Sequence, residues 1–394
     1  MSKVRFKKDT QDSFFGHFLY RQVLPKDHFL VKAKENIPWK SFTHKLLKYY
    51  KGAGEYGRTP YEPAKILRML FLSFLYHLSE RETEEFANLH LAGKYFVGLG
   101  ADEFSPDHST LTVFKERIIK TVGIKGYESL FNEMIRIALD KGVKFGTIQT
   151  VDSVHTIANV NLSKDKFRQK KKGKPPRDKD ASWGVKKIKK VRQEDGTIKE
   201  IKDSFYGYKT HVSQNTKSGI ITSLTVTTGS APDNEELTTL VNKDRKLGIA
   251  KEGELTREDS KLVVSGGTAY TGDKAYDDGD NHEFLRVKKL QSAIILKDTR
   301  INSKQEENNQ YWEDFSKREI YQKATKLRYK AEQPFGLAKH YHGFSRCRYI
   351  GRTKMAIQSY LTFMVLNLKR IIKLTEGIQF RSSNLYAYVP ISGG

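Results

Sequence analysis

A chain of 394 residues is long enough for more than one domain and for a sizeable core. Its 70 Lys and Arg outweigh 46 Asp and Glu for a formal charge of +24, while 38% hydrophobic and 11% aromatic residues exclude a largely disordered chain. That excess points to a polyanionic partner, nucleic acid above all, because neutralising phosphates releases condensed counterions; the plainer alternative is a soluble basic surface.

Cys347 is the single cysteine, so an intrachain disulfide and a Cys-based zinc site are both excluded, which fits a reducing cytoplasm. Met1 to Thr10 is charged from the start and lacks the apolar core of a secretion signal. Met69 to Leu78 is too short to span a bilayer, and Met355 to Leu368 carries Gln358, Thr362 and Asn367. A membrane protein is not expected.

Residues 1 to about 125 read as a helical domain. Pro63 suits a helix start, and Ile66, Leu67, Leu70, Phe71, Phe74 and Leu75 follow at helical spacing. Ser79-Glu80-Arg81-Glu82 has the form of a capping box that opens a second helix. Ser105-Pro106-Asp107-His108-Ser109 offers turn and cap residues before a helix through Leu111, Phe114 and Ile118. Such short helices suit a helix-turn-helix DNA reader or a plain bundle.

From Phe145 the periodicity changes. Thr147 to Val160 reads as a strand, and Phe205 to Gln214 and Gly219 to Thr228 as a hairpin. Asp233-Asn234-Glu235-Glu236 can cap a helix through Leu240. A strand should lead into Asp273, then a helix around His282 to Val287, a short strand Ser292 to Leu296, and a helix from near Ile320 towards Tyr341. This order is that of an RNase H-like α/β domain, a mixed sheet flanked by helices, spanning 145–341; residues 342–394 are expected as a helical extension. Inside the domain lies a basic insertion at 163–204. Lys164 to Arg192 holds fourteen Lys or Arg and three Asp, and Gly173, Pro175 and Pro176 argue against regular structure. It reads as a mobile arm that contacts DNA phosphates through residues such as Lys170, Lys171 and Lys172, with Phe167 and Trp183 free to pack or stack; the plainer reading is a solvated loop.

Three carboxylates stand out. Asp152 lies inside the first strand, on the face shared by Ile148 and Thr150, where a carboxylate is costly unless paired or metal-bound. Asp273 follows a strand, at a sheet end suited to a site, with Asp277, Asp278 and Asp280 as nearby competitors for its role. Arg328, Glu332 and Lys339 are spaced by 4 and 7 residues, within about 40° of one helical face, although Pro334 should kink that helix or start a new one. Carboxylates that converge can hold two Mg²⁺ ions about 3.5–4 Å apart for phosphodiester cleavage, and hard oxygen ligands suit Mg²⁺ or Mn²⁺.

Arg328-x3-Glu332-x6-Lys339 resembles the Y-x2-R-x3-E-x6-K signature of bacterial insertion-sequence DDE transposases, except that Thr325 stands where the family has Tyr, with Tyr321 out of register. Thr150-Val151-Asp152, Tyr206-Gly207-Tyr208-Lys209-Thr210-His211, Gly272-Asp273-Lys274-Ala275-Tyr276-Asp277, Arg346-Cys347-Arg348-Tyr349-Ile350-Gly351 and Asn367-Leu368-Lys369-Arg370 are similar to further family segments, as is Tyr61 through Thr110 to its N-terminal domain. The resemblance, covering about residues 15 to 372, implies a catalytic Asp152, Asp273 and Glu332 holding two Mg²⁺, with Mn²⁺ able to substitute. It implies phosphate contacts from Arg328, Lys339, Arg346 and Arg348, and double-stranded DNA with terminal inverted repeats as partner. A homodimer or higher assembly on DNA and a cytoplasmic, nucleoid-associated location follow. The alternatives are a transposase-derived DNA-binding protein without catalysis, or an RNase H-fold nuclease.

Overall fold

The computed structural model describes residues 6–7, 14–49, 59–192, 198–258, 261–301 and 306–380. Most of the charged opening segment Met1 to Thr10, and residues 381–394, lie outside the described residues. Contacts divide the chain into two units: Met1–Val143 with Tyr341–Gly343 and Tyr360–Gly394, and Lys144–His340 with Phe344–Ser359.

The first unit begins with α1 (Phe14–Val23), α2 (Phe29–Asn36), α3 (Trp39–Leu46), α4 (Pro63–Leu75), α5 (Glu80–Leu89), α6 (Leu91–Val97), α7 (His108–Val122) and α8 (Lys125–Asp140). Pro63 opens α4, where its missing N–H costs nothing. Every residue of α4 is buried, so the helix expected there is the axis of a bundle, ringed by α3, α5, α6 and α7. Ser79 and Glu82 form the expected capping box of α5, and Asp107 caps α7 through the Ser109 N–H. The helical region runs past residue 125 because α8 turns Tyr127, Leu130, Phe131, Met134 and Ile135 inward against α3 and α7.

The second unit is built on a mixed sheet. Its strands are β1 (Ile148–Ile157), β2 (Ser182–Arg192), β3 (Ile198–Asn215), β4 (Ile221–Thr228), then a separate hairpin of β5 (Glu254–Glu258) and β6 (Lys261–Ser265), and finally β7 (Ala269–Thr271) and β8 (Gln291–Ser292). Interleaved are α9 (Leu162–Lys172), α10 (Leu237–Lys246) and α11 (Gly279–Val287); α12 (Asp298–Ile301), α13 (Glu306–Lys317), α14 (Glu319–Leu327) and α15 (Glu332–Tyr341) follow. β1 pairs antiparallel with β3 and β3 with β4, whereas β7 runs parallel to β1 and β8 parallel to β7. The core order β4-β3-β1-β7-β8, three antiparallel strands followed by two parallel ones, is the RNase H-like sheet. One face packs Val151 and Tyr270 against Leu237, Leu240 and Leu285; the other packs Ile148 and Ala269 against Phe315, Tyr321 and Ala324. The hairpin of β5 and β6 went unread in the sequence, and the strand expected at Ser292 to Leu296 is reduced to β8.

The basic insertion, expected to lack regular structure, carries a helix and a strand. Asn161 caps α9 through the Lys164 N–H, Gly173 ends it at φ 57°, and β2 pairs along the first half of β3. Three of its acidic residues anchor it: Asp165 accepts twice from the Arg177 N–H, Asp178 accepts from the Tyr208 hydroxyl at 2.6 Å, and Asp180 accepts from the Arg352 N–H. The two prolines fall in the connection between α9 and β2, where no regular pairing is lost.

The last helix, α16 (Arg352–Glu376), is not a separate extension: its residues to Ser359 group with the second unit and those from Tyr360 with the first. In the first unit it buries Leu361, Phe363, Met364, Val365, Leu368 and Ile371, and Tyr360 meets Phe131. No helix among the described residues is long and apolar enough to cross a membrane.

Candidate active site

The register of the sheet brings the first two carboxylates side by side. Thr150 of β1 pairs with Thr271 of β7 in parallel, and Asp152 and Asp273 each follow two residues later. Parallel neighbours lie about 4.8 Å apart, so the two residues leave adjacent strands at one level of the sheet. Asp152 is on the face of Ile148, as alternation requires, and its side chain is 14% exposed. Burial pushes its carboxyl up to about 7; the Ser153 N–H at 2.7 Å and Arg328 lower it, and the charges of Asp273 and Asp233 raise it further. Asp273 opens a 3₁₀ turn, Lys274–Tyr276, and accepts from the Ala275 N–H.

Two of the competitors for the second role, Asp277 and Asp278, are occupied elsewhere. Asp277 is fully buried. Burial alone would raise its carboxyl, yet His282, the Lys297 N–H and Arg300 hold it below the ordinary range. Asp278 caps α11 through the Asp280 N–H and accepts from Asn234.

The expected single helix from Ile320 to Tyr341 is three pieces: α14, a 3₁₀ turn Arg328–Ala331, and α15 starting at Glu332. Pro334 lies in the first turn of α15, where an N–H has no partner in the helix, so it starts a new helix rather than bending an old one. The 3₁₀ turn packs on β1. There Arg328 lies between two carboxylates, with Nη2 3.7 Å from Asp152 Oδ2 and Nη1 3.4 Å from Glu332 Oε1. Glu332 itself is 64% exposed. Along α15, Lys339 brings Nζ to 3.4 Å from His155 Nε2 on β1. Burial lowers the Lys339 ammonium, and burial followed by the Lys339 charge drives His155 down to about 4. Tyr321 is a core residue whose hydroxyl accepts from the Leu296 N–H, and Thr325 donates back to the Tyr321 carbonyl.

Lys170, Lys171 and Lys172 form the exposed last turn of α9, and the Lys171 ammonium lies over the Phe167 ring. Arg346 and Arg348 sit where Ser345 to Cys347 bonds along Ile157 at the end of β1. Arg346 donates to the Val160 carbonyl at 2.9 Å, and the Arg348 N–H donates to Gln358. Among the described residues neither pairs with the three carboxylates.

Asp233 was missed. It was expected to cap a helix, but its side chain makes no cap. It instead accepts from Lys209 at 2.8 Å and from the Ser153 hydroxyl at 3.1 Å, beside Asp152. The only sequence signal was its place just after a strand end, which it shares with ordinary turn residues.

The donor set suits a hard divalent cation: carboxylate oxygens without thiol or imidazole, one of them buried and charged at a cost that a cation would relieve. The three carboxylates do not close to within 4.8 Å of one another; among the described residues that closeness is reached by Glu84, Asp107 and His108 of the first unit. Those groups serve α7, since Glu84 accepts from the His108 backbone and ring and Asp107 caps the helix.

An RNase H-like sheet with acidic side chains at one level of two adjacent parallel strands defines the class. Within it, the profile of the Transposase DDE domain family matches residues 164–368, just over half of the chain, and the chain belongs to that family: it is a DDE transposase. A second profile, Transposase domain (DUF772), matches residues 18–117. The DDE profile takes in Asp273 and Glu332 and begins after Asp152. Among solved structures, the piggyBac transposase in a synaptic complex with hairpin DNA is 10% identical with a TM-score of 0.42, covering 92% of this chain and 77% of its own. The Mos1 transposase paired-end complex with the left transposon end is 9% identical with a TM-score of 0.18, covering 83% and 92%. Likenesses this distant add no argument; the fold rests on the strand order.

Proposed function

We propose that this transposase cleaves and rejoins DNA at the ends of an insertion sequence, with Asp152, Asp273 and Glu332 as the residues that hold two Mg²⁺, or Mn²⁺ in their place. The observation that carries the reading is the pair of carboxylates leaving adjacent parallel strands, with Arg328 linking Asp152 to Glu332. When bound, the ions would activate the attacking oxygen and stabilise the leaving one. Arg328, released from its carboxylate partners, would clamp a phosphate through two N–H groups, and Lys339 would add a point charge. Hydrolysis at the element's end frees a 3′-hydroxyl, which then attacks a phosphodiester of the target in line. Lys170, Lys171 and Lys172 would neutralise phosphates away from the chemistry, and Arg346 and Arg348 would shape and charge the edge beside β1. Terminal inverted repeats and target DNA are the partners, two ends call for at least a dimer on DNA, and the nucleoid is where both substrates lie.

The test is cleavage of the element's end DNA in Mg²⁺ by the Asp152→Ala protein. Loss of cleavage with DNA binding retained supports the assignment. Cleavage at the parental rate with intact binding overturns it. A parental chain that binds ends without cutting would identify a transposase-derived DNA-binding protein, and cutting without joining would identify a nuclease.

A further inference from the structure

Lys339 and His155 meet on the second unit, and Lys186 lies on β2, two residues past the partner of Phe205, whose ring packs on His155. Lys339 of α15 has His155 of β1 as its polar contact, at 3.4 Å. His155 packs its ring on Phe205 and pairs across the sheet with Lys209. Lys186 is exposed at the position where the β2–β3 register slips, and such a bulge re-aims its side chain. The charges that act on the imidazole are Lys339, Lys186 and Lys209, which oppose its protonation, and Asp203, which favours it. Lys209 is already committed to Asp233 and the Ala231 carbonyl. Among the described residues neither Lys186 nor Lys339 pairs with a carboxylate. Folding therefore holds two ammonium charges near an imidazole, offset only by Asp203, an arrangement that an entering anion would relieve.

We infer that His155, Lys186 and Lys339 form one phosphate-binding subsite, which grips a backbone phosphate of the DNA strand led to Asp152. It rests on the DNA reading above and adds His155 and Lys186 to it. His155 is three residues along β1 from Asp152, about 10 Å at strand rise and on the other face by alternation, so the phosphate it grips is a neighbour along the backbone of the one at Asp152. The anion would offset the two ammonium charges and let the imidazole take up a proton and donate to the phosphate.

The experiment measures binding of a short labelled duplex to the full chain as a function of salt, without divalent ions. The proteins are the parent, Lys186→Ala, Lys186→Gln, His155→Gln and, as a control away from the subsite, Lys170→Ala. Either Lys186 variant should reduce the slope of log affinity against log salt by about one. Parental binding should tighten as pH falls from about 7 to about 5, through the ordinary range of histidine, and His155→Gln should reduce that tightening to the part that protonation of Asp152 supplies. Lys186 is exposed, so an unchanged melting curve is expected and excludes misfolding as the cause. A full parental slope in both Lys186 variants, while Lys170→Ala loses part of it, overturns the subsite; so does a parental pH profile that stays flat. A parent that binds no DNA would instead sink the transposition reading itself.

Discussion

Asp152 is charged at a cost that its neighbours only partly offset. Its folded carboxyl titrates near 7 against 3.8 for an ordinary aspartate, so the folded chain holds its proton more tightly than the unfolded chain does. Stability is therefore lost as pH rises from about 4 to about 7, and stays lost above that. Without divalent ions at about pH 8, Asp152→Asn should stabilise the protein by roughly 1–4 kcal/mol in a denaturant titration, while cleavage disappears. A destabilised Asn variant would show that Arg328 and Ser153 outweigh burial. Asp277 should behave oppositely. Its carboxylate is buried against Arg300, His282 and the Lys297 N–H, so Asp277→Asn should cost about 2–4 kcal/mol in the same measurement. Asp277 stands four residues from Asp273 in one acidic run, and nothing in that spacing separates a structural anion from a free one.

At the scale of elements, the join between β1 and β3 sets the site. Gly207 faces Ile157 across the sheet, and a Cβ there would collide with the Thr156 carbonyl oxygen and press on the Ala158 N–H. Gly207→Ala should cost at least about 2 kcal/mol and shift the end of β1, read as a lowered melting temperature and faster amide exchange along β1. The elements that local chemistry governs were legible: Ser79 with Glu82, Pro63 at a helix start, and the β3–β4 hairpin. The α9 region was not, because glycine and proline mark a boundary equally well inside a folded segment and in a loose one. Only the distant partners of Asp178 and Asp180, Tyr208 and Arg352, decide between them.

For the whole molecule, Mg²⁺ linkage is the global check. An ion held by the folded carboxylates and not by the unfolded chain stabilises in proportion to its saturation, by about 2.7 kcal/mol at a hundredfold excess over Kd. Millimolar Mg²⁺ should thus raise the melting temperature of the parent and leave Asp152→Asn unmoved; an equal rise in both would place the ion elsewhere, with Glu84, Asp107 and His108 the first place to look. The sequence by itself determined the charge and the alternation of helical and strand periodicity, and it offered three acidic candidates, because composition and local spacing act over a few residues at a time. Tertiary structure alone decided that Asp152 and Asp273 leave neighbouring strands at one level, that Arg328 stands between Asp152 and Glu332, and that Asp233 turns from a helix cap towards Ser153 and Lys209. Those facts depend on sheet register and on contacts between residues far apart in the chain, as from Asp152 to Arg328, and no local preference along the chain encodes them.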